Sequence, residues 1–304
     1  MPDDEFYLSE FRKAIRRSTD GDIVDLDESF IHKFEYQVHR FEDVLKNTDR
    51  IIPPNRWSYH RIGLIKEGSG EFITGIYNYK ARKNTLIAIP SRVITSSKNW
   101  TLDTSGYIVV FNTEFFLQNN FPHKYIESKN ILGSNLQPFI HLTDSQAEEI
   151  ANIFESILRE KEVNSNYNLE LIALKIVELV IMSERYFDEE LNFKSTIPTR
   201  DIIRRFVALI EANFPKEHAV RFYAEQLTVH PNYLNSLIKK HIGLTAKEAI
   251  QNRLLLETKY LLHSTSLTIK EISNQVGFND PNYFNVFFKR FEKKSPANYR
   301  SAYV

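Results

Sequence analysis

Hydrophobic and polar positions change their rhythm twice along this chain. From about Trp57 to Phe111 the apolar residues fall in short β-branched and aromatic runs broken by Gly, Pro, Asn and Ser. Tyr59, Ile62 and Leu64 lead into a turn at Gly68-Ser69-Gly70, and the run EFITGIY over 71–77 follows, then Leu86–Ile89 and Tyr107–Phe111. Runs of this length and composition predict antiparallel strands arranged as a barrel or a sandwich.

Beyond the strands the spacing shifts to three and four. Over Asp144–Glu160 the apolar residues Ile150, Ile153, Phe154, Ile157 and Leu158 share one helical face, and Thr143-Asp144 supplies the cap. Asn168–Tyr186 repeats the pattern with Leu171, Leu174, Val177 and Ile181 as its inward stripe, so 144–187 is expected to form an antiparallel helix hairpin. Residues 188–199, DEELNFKSTIPT, are polar with a single proline and read as a linker. After them nearly everything reads as short helices separated by turns.

The most specific pattern is an internal repeat. Residues 231–240 read PNYLNSLIKK and residues 281–290 read PNYFNVFFKR, an offset of 50 that also aligns Thr245-Ala246 with Ser295-Pro296. Each copy has the parts of a helix-turn-helix, at about 220–242 and 269–291. In the second, Ile269, Ile272 and Val276 face inward, Gly277 ends the first helix, Phe278 plugs the core, and Asp280-Pro281 starts the second helix. In the first, Val220–Leu227 leads and His230-Pro231 opens the second helix.

The second helix of each copy has two distinct faces. Leu234, Leu237 and Ile238 face the core in one, and Phe284, Phe287, Phe288 and Phe291 do so in the other. The opposite faces carry Asn232, Asn235, Ser236 and Lys239, and Asn282, Asn285, Val286 and Lys289. Asparagine can pair bidentately with adenine in a major groove, and a small apolar group can meet a thymine methyl. Lys239, Lys240, Lys289 and Arg290 suit phosphates. A helix capped at Thr245 and running to about His263 joins the copies. Its length of about 27 Å is close to the roughly 34 Å between successive major grooves on one face of DNA.

Charge sharpens this picture. The whole chain balances 39 basic against 39 acidic residues, yet from Thr199 onward 16 basic face 9 acidic, a net of +7, which leaves −7 for the rest. The basic part is a candidate for polyanion binding. No cysteine is present, so disulfides, thiolate metal sites and cysteine nucleophiles are excluded. The opening MPDDEFYLSEFRKAIRR lacks the apolar core of a secretory signal, and the most apolar long stretch, Leu169–Met182, carries Glu170, Lys175 and Glu178. A cytoplasmic protein without a membrane span is therefore expected.

The ordered signature IxEIxxxVGFNDPNYFxxxFKR…SPxxYR, from Ile269 to Arg300, and the preceding RLLLETKYLLHSTSLTI, from Arg253 to Ile269, resemble the AraC/XylS regulators over about the last hundred residues. The resemblance implies two helix-turn-helix units that bind asymmetric double-stranded DNA sites to activate or repress transcription, with RNA polymerase as a further partner. By that likeness the base readers fall on Asn232, Asn235 and Ser236, and on Pro281, Asn282, Asn285 and Val286. Thr258 and Ser273 stand where the family usually has alanine. Lys293 stands where a glycine often closes the final recognition helix, a loss of about 1 kcal/mol there.

HRIGLIKEGSGEF (60–72) and LIAIPSRVIT (86–95) are similar to the cupin-type sensing domain of many such regulators. The fold expected is therefore α+β in two domains. An antiparallel cupin-like β-barrel with the helix hairpin would span 1–187 for sensing and homodimerisation. An all-α double helix-turn-helix domain would span 200–304. A metal-bearing cupin would offer a histidine pair and a later histidine, but His60 has no HxH partner and Thr95 stands at the later position. No metal, no cofactor and no enzymatic activity are expected, and a metal-dependent cupin enzyme is the weaker alternative. Trp57, Tyr59, Phe72, Tyr77 and Trp100, with Tyr79 and Tyr107, are the candidates for a small-molecule effector pocket. The other open alternative is a regulator without an effector, whose N-terminal domain only dimerises.

Overall fold

In the computed structural model, residues 36–301 are described apart from 47, 49, 120, 122, 134–136, 164, 195 and 196. The opening segment of the chain, on which the reading of a missing signal rested, lies outside the described residues. Among the described residues, the first part of the fold holds nine strands. They are β1 (Tyr36–Arg40), β2 (Ile52–Arg56), β3 (His60–Glu67), β4 (Ser69–Thr74), β5 (Tyr77–Arg82), β6 (Thr85–Ile89), β7 (Ile94–Lys98), β8 (Ser105–Phe111) and β9 (Phe139–His141). They form two antiparallel sheets with open edges, in the orders β1-β8-β3-β6-β9 and β2-β7-β4-β5. The run over 71–77 is two strands, not one. Gly75 takes φ +53°, and the chain reverses there into a β4–β5 hairpin that pairs Thr74 with Tyr77. β2 was hidden in the sequence by Pro53 and Pro54. It sits at a sheet edge, where missing N–H groups cost no ladder bond.

Short helices α1 (Phe41–Lys46), α2 (Thr113–Gln118) and α3 (His123–Glu127) pack around the sheets. The hairpin follows as α4 (Asp144–Lys161) and α5 (Asn168–Lys194). Thr143 and Gln146 close a capping box at the start of α4. The five-stranded sheet buries Ile62, Leu64, Val109 and Phe111 against Phe154, Ile157, Ile172 and Ile176 of the hairpin. The buried face of α5 is not the expected stripe. Leu171, Leu174 and Ile181 are exposed, while Ile172, Ala173, Ile176, Leu179 and Val180 are buried. The helix is apolar around most of its circumference, so spacing alone could not choose the face. The expected linker is partly helix as well: 188–194 complete α5 and α6 (Ile197–Asn213) begins three residues later, while 195 and 196 are outside the described residues.

The remaining helices are α7 (Val220–Gln226), α8 (Pro231–Ile242), α9 (Ala246–Ser264), α10 (Ile269–Gln275), α11 (Pro281–Glu292) and α12 (Pro296–Ser301). Their shared core is built from Phe206, Tyr223, Leu234, Ile250, Leu254, Phe284 and Phe288. Ile76 and Tyr77 from the β4–β5 hairpin enter the same core, so the β unit and the helical unit are packed together.

Candidate nucleic-acid interface

Both second helices of the repeat start by the same device. His230 accepts the Asn232 backbone N–H at Nδ1 (3.2 Å), and Asp280 accepts that of Asn282 at Oδ1 (2.8 Å); a proline follows each cap, where its absent N–H would have had no partner. Both helices end on a left-handed residue, Gly243 at φ +83° and Lys293 at φ +59°, again 50 positions apart. The turn of the second unit depends on Gly277, whose φ is +86° and whose missing Cβ leaves room for the Pro215 carbonyl oxygen.

These caps orient the two faces. Leu234, Leu237, Ile238, Phe284 and Phe288 are buried. Asn232, Ser236, Lys239 and Lys240 on α8 are exposed, as are Asn282, Asn285, Val286, Lys289 and Arg290 on α11; Pro281 is half-buried. Two residues missing from the sequence reading join them. Tyr233 and Tyr283 are 49% and 73% exposed beside the asparagines, and Val286 is 68% exposed. Surface apolar groups of this size on a polar helix face were the available signal. Asn235 is only half-exposed, and its Oδ1 accepts the Ala246 backbone N–H at 3.1 Å. Arg290 donates to Gln251 of α9 at 3.2 Å.

The connector α9 is capped by a Thr245–Glu248 capping box and is about 28 Å long at 1.5 Å per residue. It is braced on both sides. Lys259 pairs with Glu292 of α11 at 2.8 Å, and Arg300 of α12 donates to the Leu262 carbonyl at 3.2 Å. On the other side Arg253 donates from Nε to both oxygens of Glu211 (3.0 and 2.9 Å) and from Nη1 to Glu257 (2.9 Å). Burial works against the Arg253 charge, but the carboxylates of Glu211 and Glu257 outweigh it and hold its pKa above the ordinary arginine value. Arg56 from β2 completes the chain of charges at Glu257. Arg253 and Glu257 stand one helical turn apart, but nothing in the sequence linked them to Arg56 or Glu211.

The expected effector residues separate in space. A small cavity, partly open to solvent, lies between the two sheets, and Trp57, Phe72 and Tyr107 line it along with Phe41, Ile65 and Ile108. Its polar wall is Arg61, which donates to Thr95 (2.9 Å), Asn55 (3.3 Å) and the Val93 carbonyl (3.2 Å). Tyr59, Tyr77 and Trp100 do not line it. Tyr59 packs with Val44 and Val110, Tyr77 sits in the helical-domain core, and Trp100 stacks edge-on against Phe41. Alternation along a strand gave their sheet face but not the layer they meet. His60 is buried and accepts the Ser91 N–H. Among the described residues no group of three or more His, Asp or Glu is placed to hold a metal ion, and no helix is long and apolar enough to cross a membrane.

Two helix-turn-helix units on one braced connector, each showing a polar face on its second helix, define a DNA-binding transcription regulator. Comparison with known proteins agrees. Residues 223–302 match the helix-turn-helix domain family. The chain is 24% identical over 254 residues to the transcriptional activator RhaS of Mannheimia succiniciproducens, covering 82% of this chain and 90% of that one. It is 27% identical over 154 residues to the lactose operon transcription activator of Staphylococcus xylosus, half of this chain and 55% of the relative's length. Among solved structures, the C-terminal domain of AraT from Geobacillus stearothermophilus is 33% identical, covering 33% of this chain and 83% of that one, with a TM-score of 0.32. ToxT from Vibrio cholerae O395 is 14% identical, covering 89% and 98%, with a TM-score of 0.40. Residues 223–302 thus form a helix-turn-helix domain of the AraC type.

Proposed function

We propose that this regulator inserts α8 and α11 into successive major grooves of one duplex, with Asn232, Ser236, Pro281, Asn282, Asn285 and Val286 toward base edges. Lys239, Lys240, Lys289 and Arg290 then lie toward phosphates. The observation that carries this reading is that Asn232, Ser236, Lys239 and Lys240 and their counterparts 50 residues on, Asn282, Val286, Lys289 and Arg290, are all exposed on helices joined by a single braced rod. The net charge of +7 from Thr199 onward supports it, because phosphate neutralisation supplies most of the sequence-independent affinity.

The cavity between the sheets has an apolar lining with one fixed cation, Arg61, which supports an effector-binding role for the β unit. The exposed stripe Leu171, Leu174 and Ile181 on α5 supports homodimerisation through the hairpin. The cupin likeness of the β unit, a domain division near residues 188–199, a cytoplasmic location, contact with RNA polymerase and the absence of catalysis complete the reading. The named relatives are activators, so activation is the sense proposed.

Fluorescence anisotropy of the full chain on labelled duplexes from upstream of its neighbouring genes tests the core of this. Affinity is expected to fall steeply with salt, and Lys239→Ala and Lys289→Ala are each expected to reduce the log–log slope by about one. Salt-independent binding, or slopes unchanged by both substitutions, would remove α8 and α11 from the interface.

A further inference from the structure

The two recognition helices are alike in sequence but not in what their central asparagines have left to offer. Asn235 and Asn285 occupy the same place in the repeat. Fifty residues also separate Ala246 from Pro296, the first helical residues of α9 and α12. The first four N–H groups of a helix lack partners within it. In the first unit one of these, Ala246 N–H, is satisfied by the Asn235 side-chain oxygen at 3.1 Å. In the second unit the matching residue is a proline, which has no N–H to give. Asn285 is accordingly released to solvent, while Asn235 is half-buried against the start of the rod.

The difference matters chemically. Bidentate recognition of adenine uses the amide oxygen to accept from N6 and the amide nitrogen to donate to N7, in one plane. An asparagine whose oxygen already accepts a backbone N–H has one lone pair engaged and its amide orientation fixed by that bond, so it cannot turn freely to meet a base. Asn285 is free to adopt it, and Val286 beside it is 68% exposed, a group suited to a neighbouring thymine methyl. In the first unit the residue at that place is Ser236, which pairs with any base edge.

We infer that direct base discrimination is unequal between the units: Asn285 with Val286 reads an adenine and an adjacent thymine, whereas Asn235 is a positioning residue that fixes the connector helix to the first recognition helix. This rests on the reading of α8 and α11 as groove-entering helices. Sequence preference then concentrates in the half-site under α11, and the half-site under α8 is held by Asn232, Ser236 and phosphate contacts.

Selection of the full-length protein on a randomised double-stranded DNA library, repeated with variants, tests it. Asn285→Ala is expected to flatten the preference at one or two adjacent base pairs of one half-site by about 5- to 150-fold and to leave the others unchanged. Asn235→Ala is expected to keep every positional preference, to weaken binding equally across sequences, and to lower the melting temperature. Asn235→Asp retains an acceptor for the Ala246 N–H and is expected to restore that temperature. The inference is overturned if Asn235→Ala erases the preference at particular base pairs without changing the melting temperature, or if Asn285→Ala leaves all preferences intact. A wild-type protein that enriches no sequence at all would instead overturn the assignment of the two helices as readers.

Discussion

Arg56 Nη2 lies 2.9 and 3.0 Å from the two carboxylate oxygens of Glu257, joining an edge strand of the β unit to the helix that connects the two helix-turn-helix units. The guanidinium also lies over the Tyr260 ring, 4.6 Å from its centroid. Asn55, the neighbour of Arg56 on β2, lines the cavity between the sheets. One strand therefore touches both the proposed effector site and the connector α9.

The energetics of that pair follow from its surroundings. Glu257 is nearly buried while about a third of the Arg56 side chain remains in water, so the pair lies between a surface ion pair and a buried one. Arg56→Ala is expected to cost about 1 kcal/mol. Glu257→Ala is expected to cost more, because Arg253 is left buried with only Glu211. A double-mutant cycle read by urea denaturation should give a coupling near 1 kcal/mol. Strictly additive losses would mean the contact is not made in solution.

Three left-handed positions separate steric from conformational cost. A Cβ at Gly277 would overlap the Pro215 carbonyl, whereas at Gly243 it would meet nothing within 4 Å. Gly277→Ala is expected to cost about 3 kcal/mol and Gly243→Ala about 1 kcal/mol. Lys293→Gly relieves a left-handed lysine at the end of α11 and is expected to stabilise by about 1 kcal/mol. Thermal melting of the three variants checks the order, and equal losses for the two alanine variants would contradict it.

Stability should also depend on pH through His263, near the end of α9. Burial lowers its pKa from 6.5 to about 4. As pH falls, the unfolded chain takes up a proton here before the folded one does. The contribution is thus fully present above pH 6.5 and drains away as pH falls through 4, by up to about 3 kcal/mol. Denaturation midpoints between pH 7 and pH 4 should drop less in His263→Gln than in the parent chain.

The stripe on α5 gives a test of self-association. Leu174 and Ile181 are 49% and 39% exposed, so charges placed there disturb no core. Leu174→Glu combined with Ile181→Glu is expected to convert a dimer to a monomer in light scattering, with the melting temperature of the monomer little changed. An unchanged mass for the double variant would move the interface elsewhere.

Much of the helical part was legible in the chain because its signals are local. The Asp280-Pro281 cap, the glycine at 277 and the alternation of phenylalanine with asparagine act within one or two turns, so residue order alone fixes which face of α11 is buried. The same holds for Thr143 and Thr245, whose caps need only the residue three places on. Where the local signal was ambiguous, packing decided. The helix α5 offers apolar residues on nearly every side, and only its seat on the five-stranded sheet selected Ile172 and Ile176 over Leu171 and Leu174. The Pro53-Pro54 strand, the gathering of Trp57 and Phe72 around one cavity, and the reach of Arg56 to Glu257, 201 residues away, depend on the layering of separate elements. The division between Asn235 and Asn285 shows both levels at once. Sequence made them equals, and the backbone N–H that Ala246 has and Pro296 lacks set them apart only when the fold brought α9 to α8.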